Sequence, residues 1–333
     1  MVRIGLLLLL PAGLAVLAMG VYRLMIDIKP RVPRPAMGAA VQAEMAALRD
    51  RLMEHVRVLA ERIGERHLER PEALQAAADY IREVWAGQGF AVEEEAFAVA
   101  GRRCANLVAE RKGSALPGEI VLAGAHYDSI VGSPGANDNA TGVAVLLELS
   151  RALRGRAPAR TVRFVAFVNE EPPHFMTEAM GSRVHARRAR ARGERIAAMV
   201  SLETLGYYSD VPGSQRYPFP FGAFYPGAGN FLAVVANLAS RRLAVDFLER
   251  FLAAGDFPVE GVAAFEAIPG IGWSDHWSFW REGYPALMLT DTAPFRYPAY
   301  HAAGDTPDRI AAPEFARAAH GIIAAMRRLA DGS

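Results

Sequence analysis

The spacing of apolar residues first separates an N-terminal run from the rest of the chain. Residues 4–21 are uncharged and almost entirely apolar, and Arg3 and Arg23 flank them. The run approaches the roughly 20 residues that cross a bilayer as a helix. It therefore predicts one N-terminal transmembrane helix or a signal. An uncleaved anchor is favoured because the apolar core of a signal is about 7–15 residues long.

The residues after this run have a different character. Residues 26–40 combine prolines with positive charges and show no apolar periodicity, which is typical of an extended linker. We therefore divide the chain into an anchor or signal (1–25), a linker (26–40) and one folded domain (41–333). If the linker is free, a chain that begins near Gly38 should fold and remain soluble.

The side of the membrane on which the domain lies is left open by the charges. Four basic residues follow the apolar run, and the positive-inside rule alone would place the domain in the cytoplasm. Our working expectation is a periplasmic or extracellular domain. The basic residues are Arg23, Lys29, Arg31 and Arg34.

Within the domain, helical and strand-like patterns alternate. Apolar residues recur at three- and four-residue spacing over residues 41–63, and Pro71 opens a second helical stretch. This alternation predicts an α/β domain with a mostly parallel, mixed central sheet and helices on both faces. Strand-like runs cover 90–97, 106–109, 119–123, 161–168, 197–202 and 286–290, and helical stretches cover 142–153, 182–192 and 313–329.

Composition removes several functional classes. The 37 basic and 36 acidic residues nearly cancel, so no overall field attracts nucleic acid. A single cysteine, Cys104, excludes an internal disulfide and a thiolate zinc cluster. Any metal must be bound by histidine and carboxylate side chains.

Such side chains follow three of the predicted strands. His126 follows the run at 119–123, Glu170 and Glu171 follow the run at 161–168, and Glu203 follows the run at 197–202. In sheets of this kind ligands bind beyond the carboxyl ends of the strands. A polar site is therefore predicted at this edge.

Two local patterns at that edge bear on its chemistry. Asp138 lies in the turn Gly-Ala-Asn-Asp-Asn-Ala-Thr-Gly, just before a predicted helix, and taken alone this pattern favours an ordinary Asx turn or helix N-cap. Glu170 and Glu171 are adjacent carboxylates without a nearby Lys or Arg in sequence, an arrangement that is costly unless a cation neutralises them. One of the two can bind a metal while the other transfers a proton.

The motifs HYDS, GANDNATG, NEE, SLETLGYY, SDHWSF and YHAAGDTPD together resemble the co-catalytic zinc exopeptidases. That family includes the bacterial leucyl aminopeptidases and relatives of glutamate carboxypeptidase. The resemblance covers roughly residues 50–330, and the motifs occur in family order. It implies the zinc exopeptidase-like fold and two zinc ions per chain.

The resemblance also assigns roles to individual residues. Asp138 would bridge the two metals, Glu170 would be the general base, and Asp128 would orient His126. The Asp138–Asn139 peptide bond would be cis. The zinc ligands would be His126, Asp138, Glu171, Glu203 and His301.

One position departs from the family pattern. Many relatives carry aspartate where this chain has Glu203, so either the longer side chain must fold back or the strand must recede for the oxygen to reach the metal. Asp275 and His276, in the motif SDHWSF, are predicted to form a supporting pair beside the ligands.

The resemblance implies a metallo-aminopeptidase. The zinc ions would share a water and lower its pKa, and the resulting hydroxide would attack the first peptide bond of a substrate with a free N-terminus. The aromatic residues of segment 207–225, with Trp273, Trp277 and Phe279, are predicted to supply a pocket for an apolar side chain.

Two alternatives remain open. One is a single-zinc glutaminyl-peptide cyclase, which shares this fold. The other is a peptidase-like interaction domain without catalysis. The presence of both His126 and the complete turn around Asp138 favours two metals over one.

Overall fold

The computed structural model describes residues 19–32 and 39–332. Residues 19–25 are helical, and the remaining elements belong to one α/β unit. Its helices are α1 (Ala39–Arg57), α2 (Pro71–Gly87), α3 (Thr141–Ala152), α4 (Gly181–Ala191), α5 (Arg241–Leu252), α6 (His276–Arg281), α7 (Ala293–Arg296) and α8 (Ala312–Asp331). Its strands are β1 (Val92–Val99), β2 (Arg102–Arg111), β3 (Leu116–His126), β4 (Arg160–Phe167), β5 (Arg195–Glu203), β6 (Leu232–Asn237), β7 (Val259–Ala264) and β8 (Ala286–Thr290).

The strands form one eight-stranded sheet in the order β1-β2-β4-β3-β5-β8-β6-β7. Pairs β4–β3, β3–β5, β5–β8 and β6–β7 are parallel, and the other three pairs are antiparallel. The predicted α/β class with a mixed central sheet is confirmed. The antiparallel pairs lie towards the two sides of the sheet, and the parallel strands β4, β3, β5 and β8 form its centre.

Helices cover both faces of the sheet, as predicted. The larger core cluster contains side chains from α1, α2, α3, α5 and α8, whereas α4 and α6 pack on the opposite face. A strand in a sheet covered on both faces is buried at successive positions, and β4 has that pattern from residue 161 to residue 167.

The central strands bring the predicted site residues to one edge. Because β4, β3, β5 and β8 are mutually parallel, their carboxyl ends lie side by side. His126 is the last residue of β3, Glu203 is the last residue of β5, and Glu170 follows the end of β4 by three residues. The sheet topology therefore places these three residues next to one another.

Strands β6 and β7 and helix α5 were absent from the prediction. Residues 231–236 form an apolar run, and apolar residues at helical spacing follow between residues 243 and 252. These signals lie between the aromatic segment 207–225 and Trp273, in a part of the chain to which the prediction assigned no element. The β6–α5–β7 unit extends the sheet beyond β8.

The N-terminal predictions have different outcomes. Most of the apolar run 4–21 lies outside the described residues, and within them no helix combines the length and apolar character needed to cross a membrane. Of the predicted linker 26–40, Ile28 is buried and belongs to the larger core cluster. Met25, the last residue of the predicted anchor, is buried in the other cluster, so residues 25–28 pack on the domain.

Candidate metal centre

Asp138 occupies the middle of the candidate site. Its Oδ1 lies 3.3 Å from Nε2 of His126, and its Oδ2 lies 3.1 Å from Nε2 of His301. The two oxygens of one carboxylate thus face two different histidines. This is the position that a carboxylate bridging two cations would require.

The turn that carries Asp138 is held by Asp305. Gly135 begins the turn with φ +63°, in the left-handed region that glycine adopts readily. The two carboxylate oxygens of Asp305 accept the backbone N–H groups of Asn137 and Asp138 at 2.8 and 3.0 Å. The Asp138–Asn139 bond is cis, as expected. Asp138 therefore projects from a turn that is hydrogen-bonded from behind.

His126 is oriented by its other ring nitrogen. Nδ1 lies 3.2 Å from the backbone oxygen of Asp128 and is placed to donate to it. A proton on Nδ1 leaves the lone pair of Nε2 free for a metal. The predicted contact with the Asp128 carboxylate is not a hydrogen bond, because Oδ1 is 3.7 Å from Nδ1.

The Asp128 carboxylate instead supports the two adjacent glutamates. Its Oδ1 accepts the N–H of Glu170 and its Oδ2 accepts the N–H of Glu171, both at 3.2 Å. Asp128 consequently fixes the backbone that presents both side chains. This is a different supporting function from the predicted one.

Glu171 and His301 form the second half of the centre. Oε2 of Glu171 lies 3.4 Å from Nε2 of His301, and its Oε1 is buried without a hydrogen-bond partner. The His301 side chain is 29% exposed, so this side of the centre is open to solvent. The ring of Tyr300 stacks on that of His301 with centroids 3.8 Å apart.

Glu203 points into the centre despite its extra methylene group. Its Oε2 lies 3.4 Å from Nε2 of His126 and accepts a hydrogen bond from Ser274 Oγ at 2.7 Å. Oγ of Ser201 lies 2.9 Å from Oγ of Ser274, so this pair of serines positions the Glu203 carboxylate. The carboxylates of Glu203 and Asp138 therefore both lie close to Nε2 of His126.

Glu170 lies at the wall of the centre, with Oε2 3.9 Å from Nε2 of His126. Burial raises the pKa of Glu170 well above the ordinary range. His126 lowers this pKa, whereas the nearby Glu203 and Asp275 carboxylates raise it further. Burial and Asp138 likewise raise the pKa of Glu171. Asp138 differs, because His126 and His301 outweigh its burial and lower its pKa.

The donor set fits a divalent metal. His126, Asp138 and Glu171 each offer one ligand atom, and these atoms lie within 4.8 Å of one another. Nε2 of His126 and Oε1 of Glu171 are buried without partners, which is unusual unless another group binds there. Histidine nitrogen with carboxylate oxygen is a ligand combination typical of zinc.

The predicted pair Asp275–His276 does not act as a unit. Asp275 is buried near the centre, and burial raises its pKa to about 7. His276 turns away and its Nε2 bonds to the backbone oxygen of Ile271 at 2.8 Å. Only Asp275 therefore adjoins the site.

The structure also shows supporting residues that the sequence interpretation missed. Arg66 is fully buried and donates to the backbone oxygen of Tyr127, the residue after His126. It also donates to the backbone oxygens of Pro134 and Gly135, where the turn that carries Asp138 begins. Asp291 accepts hydrogen bonds from the Asn137 side chain and the Tyr207 N–H. Asp305 lies within the quoted motif YHAAGDTPD, but Arg66 had no distinguishing local pattern.

Comparison with known proteins assigns the family. The profile of Peptidase family M28 matches residues 106–326. The uncharacterized protein YfbL of Escherichia coli K12 is 37% identical over 300 residues, which cover 87% of this chain and 91% of that protein.

Solved structures share the fold at low identity. The LapA aminopeptidase of Legionella pneumophila superposes with a TM-score of 0.68 at 17% identity, covering 91% of this chain and 78% of that one. The glutaminyl cyclase of Fimbriiglobus ruber superposes with a TM-score of 0.61 at 18% identity, covering 90% and 97%. The family profile, the Escherichia coli relative and the shared fold agree with the geometry of the centre. The chain therefore belongs to peptidase family M28 and is a peptidase.

Proposed function

We propose that the chain is a zinc aminopeptidase that binds two zinc ions and removes the first residue of a peptide. The observation that carries the proposal is the central position of Asp138, whose two oxygens face His126 and His301 separately. His126 and Glu203 would complete one metal position, and Glu171 and His301 the other. Zinc bound there would polarise the scissile carbonyl and lower the pKa of a water.

The residues around the centre would supply the rest of the chemistry. Oε2 of Glu170 would accept a proton from the attacking water and return it to the leaving amine. Asp128 accepts hydrogen bonds from the backbone N–H groups of Glu170 and Glu171. It would thereby hold the general base, Glu170, at a fixed position relative to the metal ligand, Glu171. The protonated N-terminus of the substrate would be attracted by the acidic cluster.

An apolar pocket begins beside Glu203 and Tyr300 and would receive the side chain of the first residue. Tyr217, Phe221 and Trp273 line it, in agreement with part of the predicted aromatic set. Phe279 is buried in the core and does not contribute. A pocket of this kind beside a site for a free amine favours release of single apolar residues.

A metal analysis combined with a substrate panel tests this function. The purified chain should contain two zinc equivalents, release the first residue from aminoacyl amides and peptides, and lose activity with a chelator until zinc returns. One zinc equivalent and cyclisation of an N-terminal glutamine peptide, with release of ammonia, would support the cyclase instead. A metal-free chain without turnover would support the interaction domain.

We further propose that residues 1–25 anchor the enzyme and that the catalytic domain lies outside the cytoplasm. The uncharged run 4–21 supports an anchor, and the helical residues 19–25 at its end expose Met19, Val21 and Leu24. The full chain should remain in the membrane fraction after an alkaline wash. A chain released by that wash would contradict the anchor.

A further inference from the structure

The apolar pocket beside the metal centre runs across the sheet. Its lining includes residues of β5, β8, β6 and β7, so the pocket extends from the metal centre towards the far edge of the sheet. Register places Glu203, Thr290, Ala233 and Glu260 in one row across β5, β8, β6 and β7. Three strand spacings of about 4.8 Å separate the ends of this row by roughly 14 Å.

Each end of the pocket carries a carboxylate. Among the described residues that line it, Glu203 and Glu260 are the charged ones. Glu203 faces the metal centre, whereas Glu260 lies at the far end with its side chain 22% exposed. Nζ of Lys29 lies 2.8 Å from Oε1 of Glu260 and neutralises it from outside the lining.

The backbone around Lys29 is held on both faces of the sheet. Met25 is buried in the core cluster that contains Phe221 and Phe231, and Ile28 is buried in the cluster on the other face. A methyl group on Gly261 would lie only 3.1 Å from Ile28 Cγ1, so glycine allows this close approach. Residues 25–29 thus pass around the edge strand β7 and bring Lys29 to Glu260.

We propose that Lys29 is a specificity-determining residue of the pocket. By neutralising Glu260 it lets the far end accept a long apolar side chain and reject a basic one. Without Lys29, an apolar group would have to desolvate an unpaired carboxylate, whereas a cationic group could pair with it. The inference rests on the proposed aminopeptidase function only for the identity of the ligand, a first residue with a free amine.

Binding of two amines to the full chain tests the charge of the far end without turnover. n-Octylamine has one amino group for the acidic centre and an apolar tail, and 1,8-diaminooctane adds a second cation at the tail. In Lys29→Met the Kd of octylamine should rise about tenfold and that of the diamine should fall about tenfold. The double variant Lys29→Met/Glu260→Gln should restore octylamine binding. Lys112→Met, at the other lysine of the chain, should change neither.

Kinetics should follow the same pattern with side-chain length. In Lys29→Met, kcat/KM should be unchanged for an N-terminal alanine, fall for homophenylalanine and rise for arginine. An equal loss of kcat/KM for all three substrates would overturn the inference. An unchanged ratio of the Kd values of octylamine and 1,8-diaminooctane would also overturn it, and so would a wild-type chain that binds no octylamine. If the wild-type chain cleaves no substrate but the Kd ratio inverts, the proposed function fails and the role of Lys29 stands.

Discussion

Glu170 and Glu171 are neighbours in sequence with different surroundings. Glu171 faces His301 at 3.4 Å and has a buried oxygen without a partner, as expected of a metal ligand. Glu170 lies on the other side of the centre, 3.9 Å from Nε2 of His126. The same Asp128 carboxylate holds both backbones, so the difference between the two side chains comes from their direction.

Substitution of the two glutamates should therefore separate catalysis from metal binding. Glu170→Gln should keep zinc and lose turnover on the order of a thousandfold, because it removes the proton acceptor alone. Glu171→Gln should lose zinc at one position. Metal content and kcat/KM of both variants provide the measurement, and equal zinc loss in the two would contradict the assignment.

Asp305 is a positioning residue for Asp138, and its substitution has a matched control. An asparagine at residue 305 cannot accept both N–H groups that Asp305 accepts, so the turn should loosen. Asp305→Asn should weaken zinc binding about 10–100-fold, the usual effect of removing a group that supports metal ligands. Asp308→Asn, the same change at an exposed neighbour, should leave zinc binding unchanged in a metal titration.

At the scale of elements, a charged network ties the strands together away from the site. Arg163 on β4 donates to Glu110 on β2 at 3.0 Å and to Glu194, the residue before β5, at 2.5 Å. Burial alone would raise the pKa of Glu194, but its hydrogen bonds with Arg163 and Arg192 lower it to about 2. The folded state therefore favours the ionised carboxylate.

This network should contribute to acid sensitivity. Because the pKa of Glu194 is lower in the folded chain than the ordinary 4.5, its stabilisation is complete above pH 4.5 and disappears as the pH falls through 2. Glu194→Gln should be less stable than wild type by about 1 kcal/mol near pH 6, after allowance for partial exposure. The difference in free energy of unfolding should shrink at pH 3. A constant difference would show that the ionised form is not the stabilising one.

At the scale of the whole molecule, residues 24–29 are held against the folded domain. Strand β7 is an edge of the sheet, and edges are commonly covered to prevent pairing with other chains. Residues 25–29 pass around it, and Arg241 donates to the backbone oxygen of Leu24 at 2.8 Å. The predicted membrane anchor would therefore join the domain with little free chain between them.

Shortening the chain should test this attachment. A chain that begins at Gly38 loses the burial of Met25 and Ile28, each contributing about 1.5–3 kcal/mol when fully buried, with the sum an upper estimate. It should unfold at a lower temperature and aggregate more readily than a chain that begins at Met19. Thermal unfolding of the two compares them directly. Equal unfolding temperatures would restore the free-linker interpretation.

Much of the site could be predicted because its residues follow regular strands. Apolar runs end at His126 and Glu203 or shortly before Glu170, and parallel strands bring such ends together. The family resemblance supplied Asp138 and His301, which lie in turns that no periodicity marks. Arg66 and the serine pair that places Glu203 stayed hidden, because their importance depends on contacts distant in sequence.

The sequence by itself determined the α/β class and the edge of the sheet that carries the chemistry, since these follow from local periodicity and from residue types at strand ends. The full set of candidate ligands came from the family resemblance. Only the tertiary structure decided that Glu203 turns towards His126, that Asp128 holds two backbone N–H groups, and that Lys29 meets Glu260. Lys29 and Glu260 are separated by 231 residues. No local pattern encodes such a contact, because it exists only once strand β7 has joined the sheet and residues 25–29 have packed around its edge.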